Sequence, residues 1–520
     1  MAVEASTDSR DVDAEIRRRQ RLYVVLMTMI LLLGGYLRLN RFLLNRSLWL
    51  DEAYLALNII ERTPLELAGP LSYGQVAPIG FTVVVKLLAL ALGVREPVLR
   101  LIPLLSGLVS LPLFYLVAKR WLPKGAALLA VILFAASDAL GDYAAQFKQY
   151  SSDVAITLML ILVATWFFET GQRGRYLVFA SVGVIAVWFS HPSSIVLAGV
   201  GLYLILTAVQ RKSYSEAVRV TAVAGCWLVS FAVTYILSIR GGLQSQSLVG
   251  YWDFQGGFLL FPPTGIEQVE AGITLLVRPF EDPLGFALYS GVVLLFALGA
   301  IDGIQKRGPR LFLLAPILVA VALSTLRLYP FSGRLLLFAV PLLLLTVVMG
   351  IVRLFQARIV TGRIDGLLAI MTVAVILFQP LRNGLARGLN PRALEETRPL
   401  MIRLNESYRP GDVVAVYHAA QYAFKYYSHL LHFDPAAPVV IKSPGNAPEE
   451  DCQEVQPLRG NPRVWVIFSH KMTGPSGAEE PIIVGCLDRY GQQTSKFEET
   501  GASLYLYDLR AEPSGPAPGD

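Results

Sequence analysis

Residues 17–54 read RRRQRLYVVLMTMILLLGGYLRLNRFLLNRSLWLDEAY. Arg17, Arg18, Arg19 and Arg21 precede a mostly apolar run at residues 22–39, close to the roughly 17 to 25 residues a bilayer crossing needs. Basic residues before a first span hold that end in the cytoplasm. No small-residue cleavage site follows, so the run is expected to stay as an uncleaved first span behind a frayed, polar tail. Beyond it come Trp49, an aromatic residue suited to the lipid interface, and the adjacent carboxylates Asp51 and Glu52. The protein is thus read as a helical membrane protein with acidic chemistry at its outer surface.

The whole chain agrees. Of 520 residues, 54% are hydrophobic and 16% charged, where about 25% charged is ordinary. With Gly (43) counted in place of Tyr (22), the apolar share is about 58%, against roughly 45–50% for soluble proteins. Mean hydropathy is +0.52. Soluble cores of three or four domains, about 150 residues each, cannot hide that much apolar surface. A soluble enzyme, a disordered chain, collagen and a secreted disulfide scaffold are excluded. The net charge of +6 is read as membrane topology, not as a nucleic-acid footprint.

Eleven apolar runs are long enough to cross or nearly so, at about residues 22–39, 98–118, 124–140, 154–169, 175–190, 194–210, 217–238, 285–304, 310–327, 335–353 and 364–381. A shorter run, Pro78 to Leu92, lies between the first two. If it stays on the outer side as a juxtamembrane or re-entrant helix, every basic loop faces the cytoplasm: Lys119, Arg120 and Lys124; Arg173 and Arg175; Arg211, Lys212 and Arg219; Lys306, Arg307 and Arg310; Arg353, Arg358 and Arg363. Eleven crossings then put the C-terminus outside. Residues 1–21 are the expected cytoplasmic tail, 22–381 the membrane domain, 382–511 an extracytoplasmic α/β domain and 512–520 a disordered tail. Within the α/β domain, strands are expected at residues 412–417, 438–442, 463–469 and 503–508, and helices at 421–431 and 480–490.

No CxxC or HExxH spacing occurs, and there are five histidines, so no metal ligands are assigned. Cys226, inside a span, reads as a small packed apolar residue. Cys452 and Cys486 share the outer domain, where a bridge is permitted and sequence leaves bridged and free forms open.

Three clusters could carry chemistry. Asp51 and Glu52 sit beside an apolar wall that favours a base, or they cap the helix that begins near Ala53; residue type alone favours the cap, and the roles are compatible. Between Asp138 and Asp153, Lys148, Tyr150 and Asp153 are spaced to share a helix face, with a solvated loop and a capping Asp as the plainer reading. Arg327 and Arg334, in an outer connection, call for an anion such as phosphate or snorkel to headgroups. His191, at a helix junction, reads more simply as structural.

In order and spacing, these residues resemble the integral-membrane glycosyltransferases of the GT-C superfamily, in the branch of protein O-mannosyltransferases, aminoarabinose transferases and their bacterial relatives. The resemblance covers about residues 22–381. Trp49-Leu50-Asp51-Glu52 resembles the first-outer-loop Asp-Glu motif, Ala77-Pro78-Ile79-Gly80-Phe81 the start of the second juxtamembrane helix, and Arg100-Leu101-Ile102-Pro103 the opening of the second span. Tyr150-Ser151-Ser152-Asp153 and Arg334 with Pro341 resemble later elements. The resemblance implies a sugar donor on polyprenyl phosphate and inverting transfer on the non-cytoplasmic face of a bacterial plasma (inner) membrane. The acceptor would be a glycan, lipid or protein. Asp51 would be the general base, with Glu52 and Asp153 orienting it, the acceptor or a divalent ion. Lys148, Arg334 and Arg327 would meet the donor phosphate, and Tyr54, Gln75, Tyr150 and His191 would line the substrate. Gly74-Gln75-Val76-Ala77-Pro78 lacks the His and the Glu-Lys pair that some relatives use, so Gln75 can only hydrogen-bond a sugar or phosphate oxygen, and a divalent metal stays possible but not required. Membrane lipids are the other expected partner.

A lipid-linked sugar flippase or transporter would place ionisable groups at mid-membrane, often in repeated halves; here the carboxylates gather at one face. A polysaccharide ligase or polymerase would share the donor. No P-loop or dinucleotide fingerprint is present, as expected where the donor carries its own activated bond. In the outer domain, His418 and His470 follow apolar strands and read as exposed strand ends, and Tyr417, Tyr422, Tyr426 and Tyr427 divide between sugar stacking and core.

Overall fold

The computed structural model describes residues 2–170, 172, 174–243, 246–305, 312–356, 363–443, 452–474 and 477–510. Arg173, Lys306, Arg307, Arg310, Arg358 and the tail at 512–520 lie outside them. All eleven apolar runs contain helix. Among the described residues, seven helices are long and apolar enough to cross a membrane, at residues 13–43, 101–121, 150–169, 193–210, 214–239, 333–356 and 369–389. The other four runs form the shorter helices Lys124–Ala135, Arg175–Phe189, Tyr289–Gln305 and Ala315–Thr325. The run between the first two spans is the helix Ile79–Leu92, 14 residues long, about 21 Å at 1.5 Å per residue.

Large apolar side chains point outward along the long helices, with Leu32 68% and Leu228 67% exposed. Surface of that kind at that density belongs in hydrocarbon, and the chain is an integral membrane protein. Cys226 is exposed as well, which corrects its reading as a packed residue: the helix Tyr214–Thr234 turns it outward.

Two compact units divide the chain. The first comprises residues 1–43, 65–84 and 100–391, and the second residues 44–64, 85–99 and 392–520. The last long helix of the first unit runs to Leu389, beyond the end of its apolar stretch, because polar residues after 381 continue a helix that hydropathy alone does not follow.

In the first unit the helix Val340–Gln356 is buried along most of its length. It packs on Tyr289–Gln305 through glycine: a Cβ added at Gly350 would overlap the Leu295 carbonyl, and one at Gly299 the Thr346 carbonyl. Hydrocarbon gives two apolar helices little reason to associate, so close backbone approach through small residues supplies the contact. Elsewhere, arginines of the first helix hold the chain. Arg38, fully buried, donates to the carbonyls of Gly34 and Ala135 at 3.0 and 3.1 Å, satisfying the C-terminal end of the helix Lys124–Ala135. Arg41 pairs with Asp138 at 2.6 Å, as does Arg387.

The second unit contains a five-stranded sheet. We label the strands β1 (Val413–Tyr417), β2 (Val439–Ile441), β3 (Val464–Ser469), β4 (Gln492–Glu499) and β5 (Ala502–Asp508). Their order is β2-β1-β3-β5-β4, parallel across the first three and antiparallel across the rest. β3 is buried throughout and β1 nearly so, as continuous apolar runs in parallel strands require. β4 escapes sequence reading because it is a polar edge strand carrying Lys496 and Glu498, the composition that keeps an edge from pairing with other chains. Cys452 and Cys486 form a disulfide.

Gly350→Val should force the two helices apart and cost about 1–3 kcal/mol or more, seen as a lower thermal midpoint of the purified protein. Gly225→Val, at a site open to space, should cost less than about 0.5 kcal/mol and leave the midpoint nearly unchanged.

Candidate functional site

Asp51 and Glu52 open the helix Leu50–Glu61 in the second unit. Successive residues on a helix point about 100° apart, so the pair divides. Glu52 is fully buried and turns back to accept from the Trp49 amide at 3.4 Å, as a carboxylate at the third helical position does in a capping box. Asp51 is half-buried in the same first turn, where the helix dipole favours its charge.

The segment before this helix is built into the α/β domain. Ser47 gives both its amide and its hydroxyl to Glu396, at 3.1 and 2.9 Å. Arg398 donates to Glu96 at 2.9 Å and to the Asn45 carbonyl at 2.6 Å. The buried Tyr427 hydroxyl accepts from the Leu48 amide at 2.8 Å and donates to Glu96 at 3.2 Å. Tyr426 and Tyr417 are also buried, so these three tyrosines are core. Tyr422 differs: its ring meets Tyr54 edge-on with centroids 4.4 Å apart. Burial, then Tyr422 and Asp51, push the Tyr54 hydroxyl up to about 12, so it stays a proton donor at neutral pH.

His470 lies near enough to Asp51 to feel its charge. A 2.6 Å bond to Glu395 is the main influence raising the imidazole above its ordinary value; burial opposes it, and the charges of Glu395 and then Asp51 add to it. Sequence reading missed Glu395 because nothing in a residue's type reveals a partner 75 positions away.

In the first unit, Lys148 donates to the Gln75 amide oxygen at 2.7 Å. Tyr143 and Tyr150 meet edge-on, centroids 5.1 Å apart. Burial and then Tyr150 raise the Tyr143 hydroxyl above its ordinary range, while the nearby Arg334 opposes the rise. Tyr143, Tyr150 and Arg334 therefore share one neighbourhood. Gly333, at φ +48°, lets the Asp282 carboxylate approach within 3.2 Å of where a Cβ would stand, which brings Asp282 up to the residue that precedes Arg334. Arg334 also lies over the Trp252 ring, 5.8 Å from its centroid. Tyr143 and Asp282 were not anticipated; Glu281-Asp282-Pro283 stands at the end of a helix, where a carboxylate looks ordinary.

Asp153 is buried in the first turn of the helix Tyr150–Glu169. Ser190 provides its side-chain hydrogen bond, and Oδ1 has no hydrogen-bond partner among the described residues. The Tyr329 hydroxyl, which donates to the Leu335 carbonyl at 2.7 Å, is held protonated by burial and then by Asp153 and Tyr150. His191 adjoins Ser190, and burial pushes its imidazole down to about 4, leaving it neutral. Arg327 stands apart from this group: it is half-exposed, paired with Asp253, and lies over Phe258. Among the described residues no three His, Cys, Asp or Glu side chains are grouped to hold a metal ion.

No known sequence family and no curated protein matches the chain. Solved structures do. The oligosaccharyltransferase of Archaeoglobus fulgidus in its apo form superposes with a TM-score of 0.51 and 11% identity, over 94% of this chain and 75% of that one. ArnT from Cupriavidus metallidurans, apo, gives 0.50 and 11%, over 94% and 98%. The fold is of the GT-C type. At such identity the likeness extends to the GT-C architecture, membrane helices joined to a C-terminal domain, and the side chains must speak for the chemistry.

Because folded His470 binds its proton more tightly than the unfolded chain does, its pairing with Glu395 adds stability that is complete below the ordinary value of 6.5 and fades as pH rises through the higher folded value. Thermal midpoints measured between about pH 5.5 and 9 should therefore contain a declining component that Glu395→Gln removes.

Proposed function

We propose that the protein transfers a sugar from a polyprenyl-phosphate donor to an acceptor hydroxyl with inversion, using Asp51 as general base. Asp51 takes the hydroxyl proton, the acceptor oxygen attacks the anomeric carbon from the face opposite the phosphate, and the bond from that carbon to the phosphate oxygen breaks. The electron pair leaves with the polyprenyl phosphate. Lys148 and Arg334 are the cations assigned to that phosphate, since fixed positive groups lower the energy of charge that develops on a leaving group. Tyr143 and Tyr150 supply hydroxyls beside Arg334, and Gln75 positions Lys148. Glu52 holds the helix start that carries Asp51. Asp153 is assigned to orienting the base, the acceptor or a divalent ion, Arg327 is the third cation assigned to the phosphate, and Tyr54, Gln75, Tyr150 and His191 are assigned to the substrate.

The observation that carries this reading is an apolar cleft of about 260 Å³ in the first unit. Phe81, Ile102, Met159, Ile185 and Phe189 line it, and Ser106 and Ser152, 3.1 Å apart, give it one polar edge. Ser152 precedes Asp153 and lies four residues from Lys148. A lipid tail with a polar head matches such a cleft. The oligosaccharyltransferase of similar fold has been captured with a tethered acceptor peptide, at a TM-score of 0.50, which supports transfer to an acceptor. For this chain the acceptor class extends over glycan, lipid and protein hydroxyls.

We place the reaction on the extracytoplasmic side, with the N-terminus in the cytoplasm and eleven crossings. Positive residues favour that orientation. The disulfide in the second unit supports it too, because such bonds persist in oxidising compartments.

Asp51→Asn should lower release of polyprenyl phosphate from a panel of polyprenyl-phosphate sugars by about 10²–10⁴-fold, with the thermal midpoint retained. Undiminished turnover, or transport of intact lipid-linked sugar indifferent to the substitution, would overturn the base assignment. Lys148→Met should cut kcat/KM for the donor by about tenfold or more; an unchanged value would remove Lys148 from the phosphate site.

A further inference from the structure

The parallel half of the sheet ends in side chains to which the transfer chemistry assigns no part. β1 lies between β2 and β3, and the chain passes from β1 to β2 on one side and then crosses to β3 on the other. Where connections diverge in this way, the loops leave a crevice outside the strand carboxyl ends, the usual ligand position in open α/β sheets. His418 follows β1 directly, and His470 follows β3. The pairing of Val416 with Ile467 carries on to set the two strand ends side by side, about 5 Å apart.

Each imidazole is anchored from behind by a carboxylate. His418 Nε2 lies 3.1 Å from Glu479, which also accepts from the Tyr417 and Ser443 hydroxyls at 2.6 and 2.8 Å. His470 Nδ1 lies 2.6 Å from Glu395. The histidine side chains remain 28% and 32% exposed, with the second ring nitrogen of each, Nδ1 of His418 and Nε2 of His470, as the remaining polar atom. His470 holds a left-handed backbone at φ +52°, strain of a kind that gathers at ligand sites. Four residues past His418, Tyr422 carries its ring against Tyr54, and Tyr54 lies three residues from Asp51.

We propose that this strand-end crevice is a carbohydrate subsite, in which a sugar ring lies against the Tyr422 and Tyr54 pair and hydrogen-bonds the second ring nitrogens of His418 and His470. Charge selects the ligand class. Glu479 and Glu395 are bound to the two imidazoles, and Asp51 acts on His470 as a further carboxylate, so an anionic headgroup is disfavoured and a neutral polyol is suited. A sugar hydroxyl both donates and accepts, so it can meet the second imidazole nitrogen in either protonation state, while aromatic rings supply an apolar face with a polar tip. A peptide would sooner pair its main chain along a sheet edge. The further step, that the bound sugar is the acceptor and presents its hydroxyl to Asp51, rests on the transferase reading; the binding does not.

The test is saturation-transfer NMR on the full-length protein in nanodiscs, with methyl α-mannoside, methyl α-glucoside, methyl β-galactoside and methyl α-arabinoside as probes. At least one should receive saturation from wild type. The signal should fall about five- to tenfold in Tyr422→Ala and in His418→Gln and His470→Asn; the glutamine amide replaces His418 Nε2 and the asparagine amide His470 Nδ1, so each keeps a donor for its glutamate but loses the second ring nitrogen. Thermal midpoints identify any variant that fails to fold, and Tyr422→Phe should keep most of the signal. No transfer to any glycoside, equal transfer in folded variants, or competition by a peptide or an anionic lipid headgroup but by no glycoside would overturn the subsite. Glycoside binding that depends on these residues, in a protein that releases polyprenyl phosphate from no donor, would uphold the subsite and remove the transferase reading.

Discussion

The second unit depends on the buried polar junction at Ser47, Glu96, Glu396, Arg398 and Tyr427. Glu96 and Tyr427 are almost wholly enclosed, and a buried charge is tolerated only when hydrogen bonds answer it. Here Glu96 receives both Arg398 and Tyr427, while Ser47 both donates to Glu396 and accepts from the Arg398 amide at 3.0 Å. Removing one member would strand the others, so the junction behaves as a single piece. It determines where residues 44–64 run and therefore where the helix carrying Asp51 begins. Lys425 paired with Glu61 at 2.6 Å, and Lys86 bonded to the Ile59 carbonyl at 2.6 Å, hold the other end of that helix.

Two adjacent carboxylates of nearly equal chemistry acquire different surroundings through this arrangement. Glu52 is committed to the backbone of its own helix, and Asp51 remains near Tyr54 and His470. The capping reading and the proposed catalytic one are therefore compatible: about 100° of helix rotation separates the two side chains, and the cap gives the neighbouring carboxylate a rigid support. For the proposed role of Asp51, preorganisation of this kind matters because a general base must meet its proton within hydrogen-bond reach.

The first unit solves a different problem. In lipid, apolar contact alone does not choose among helix packings, and glycine contacts between Val340–Gln356 and Tyr289–Gln305, with arginines from the first helix on Asp138 and on backbone carbonyls, supply the choice. Asp138 belongs to this scaffold, whereas Lys148, Tyr150 and Asp153, a few residues on, lie among Gln75, Tyr143, Ser190 and Tyr329. One acidic stretch of sequence thus serves both structure and site.

Hydropathy by itself determined the class, a helix within each of the eleven longer apolar runs and the composition break before the C-terminal domain, because burial in lipid acts on every residue of a span and leaves a signal that needs no partner. Continuous apolar runs likewise marked β1, β3 and β5. The polar edge strand β4, the outward turn of Cys226 and the extension of the last long helix to Leu389 were decided by neighbours and left no such trace. So were the carboxylate partners of His418 and His470, the different surroundings of Asp51 and Glu52, and the membership of residues 44–64 in the same unit as residues 392–520. Each depends on hydrogen bonds between residues tens to hundreds of positions apart, and a linear sequence records the identity of such groups but not the distance between them.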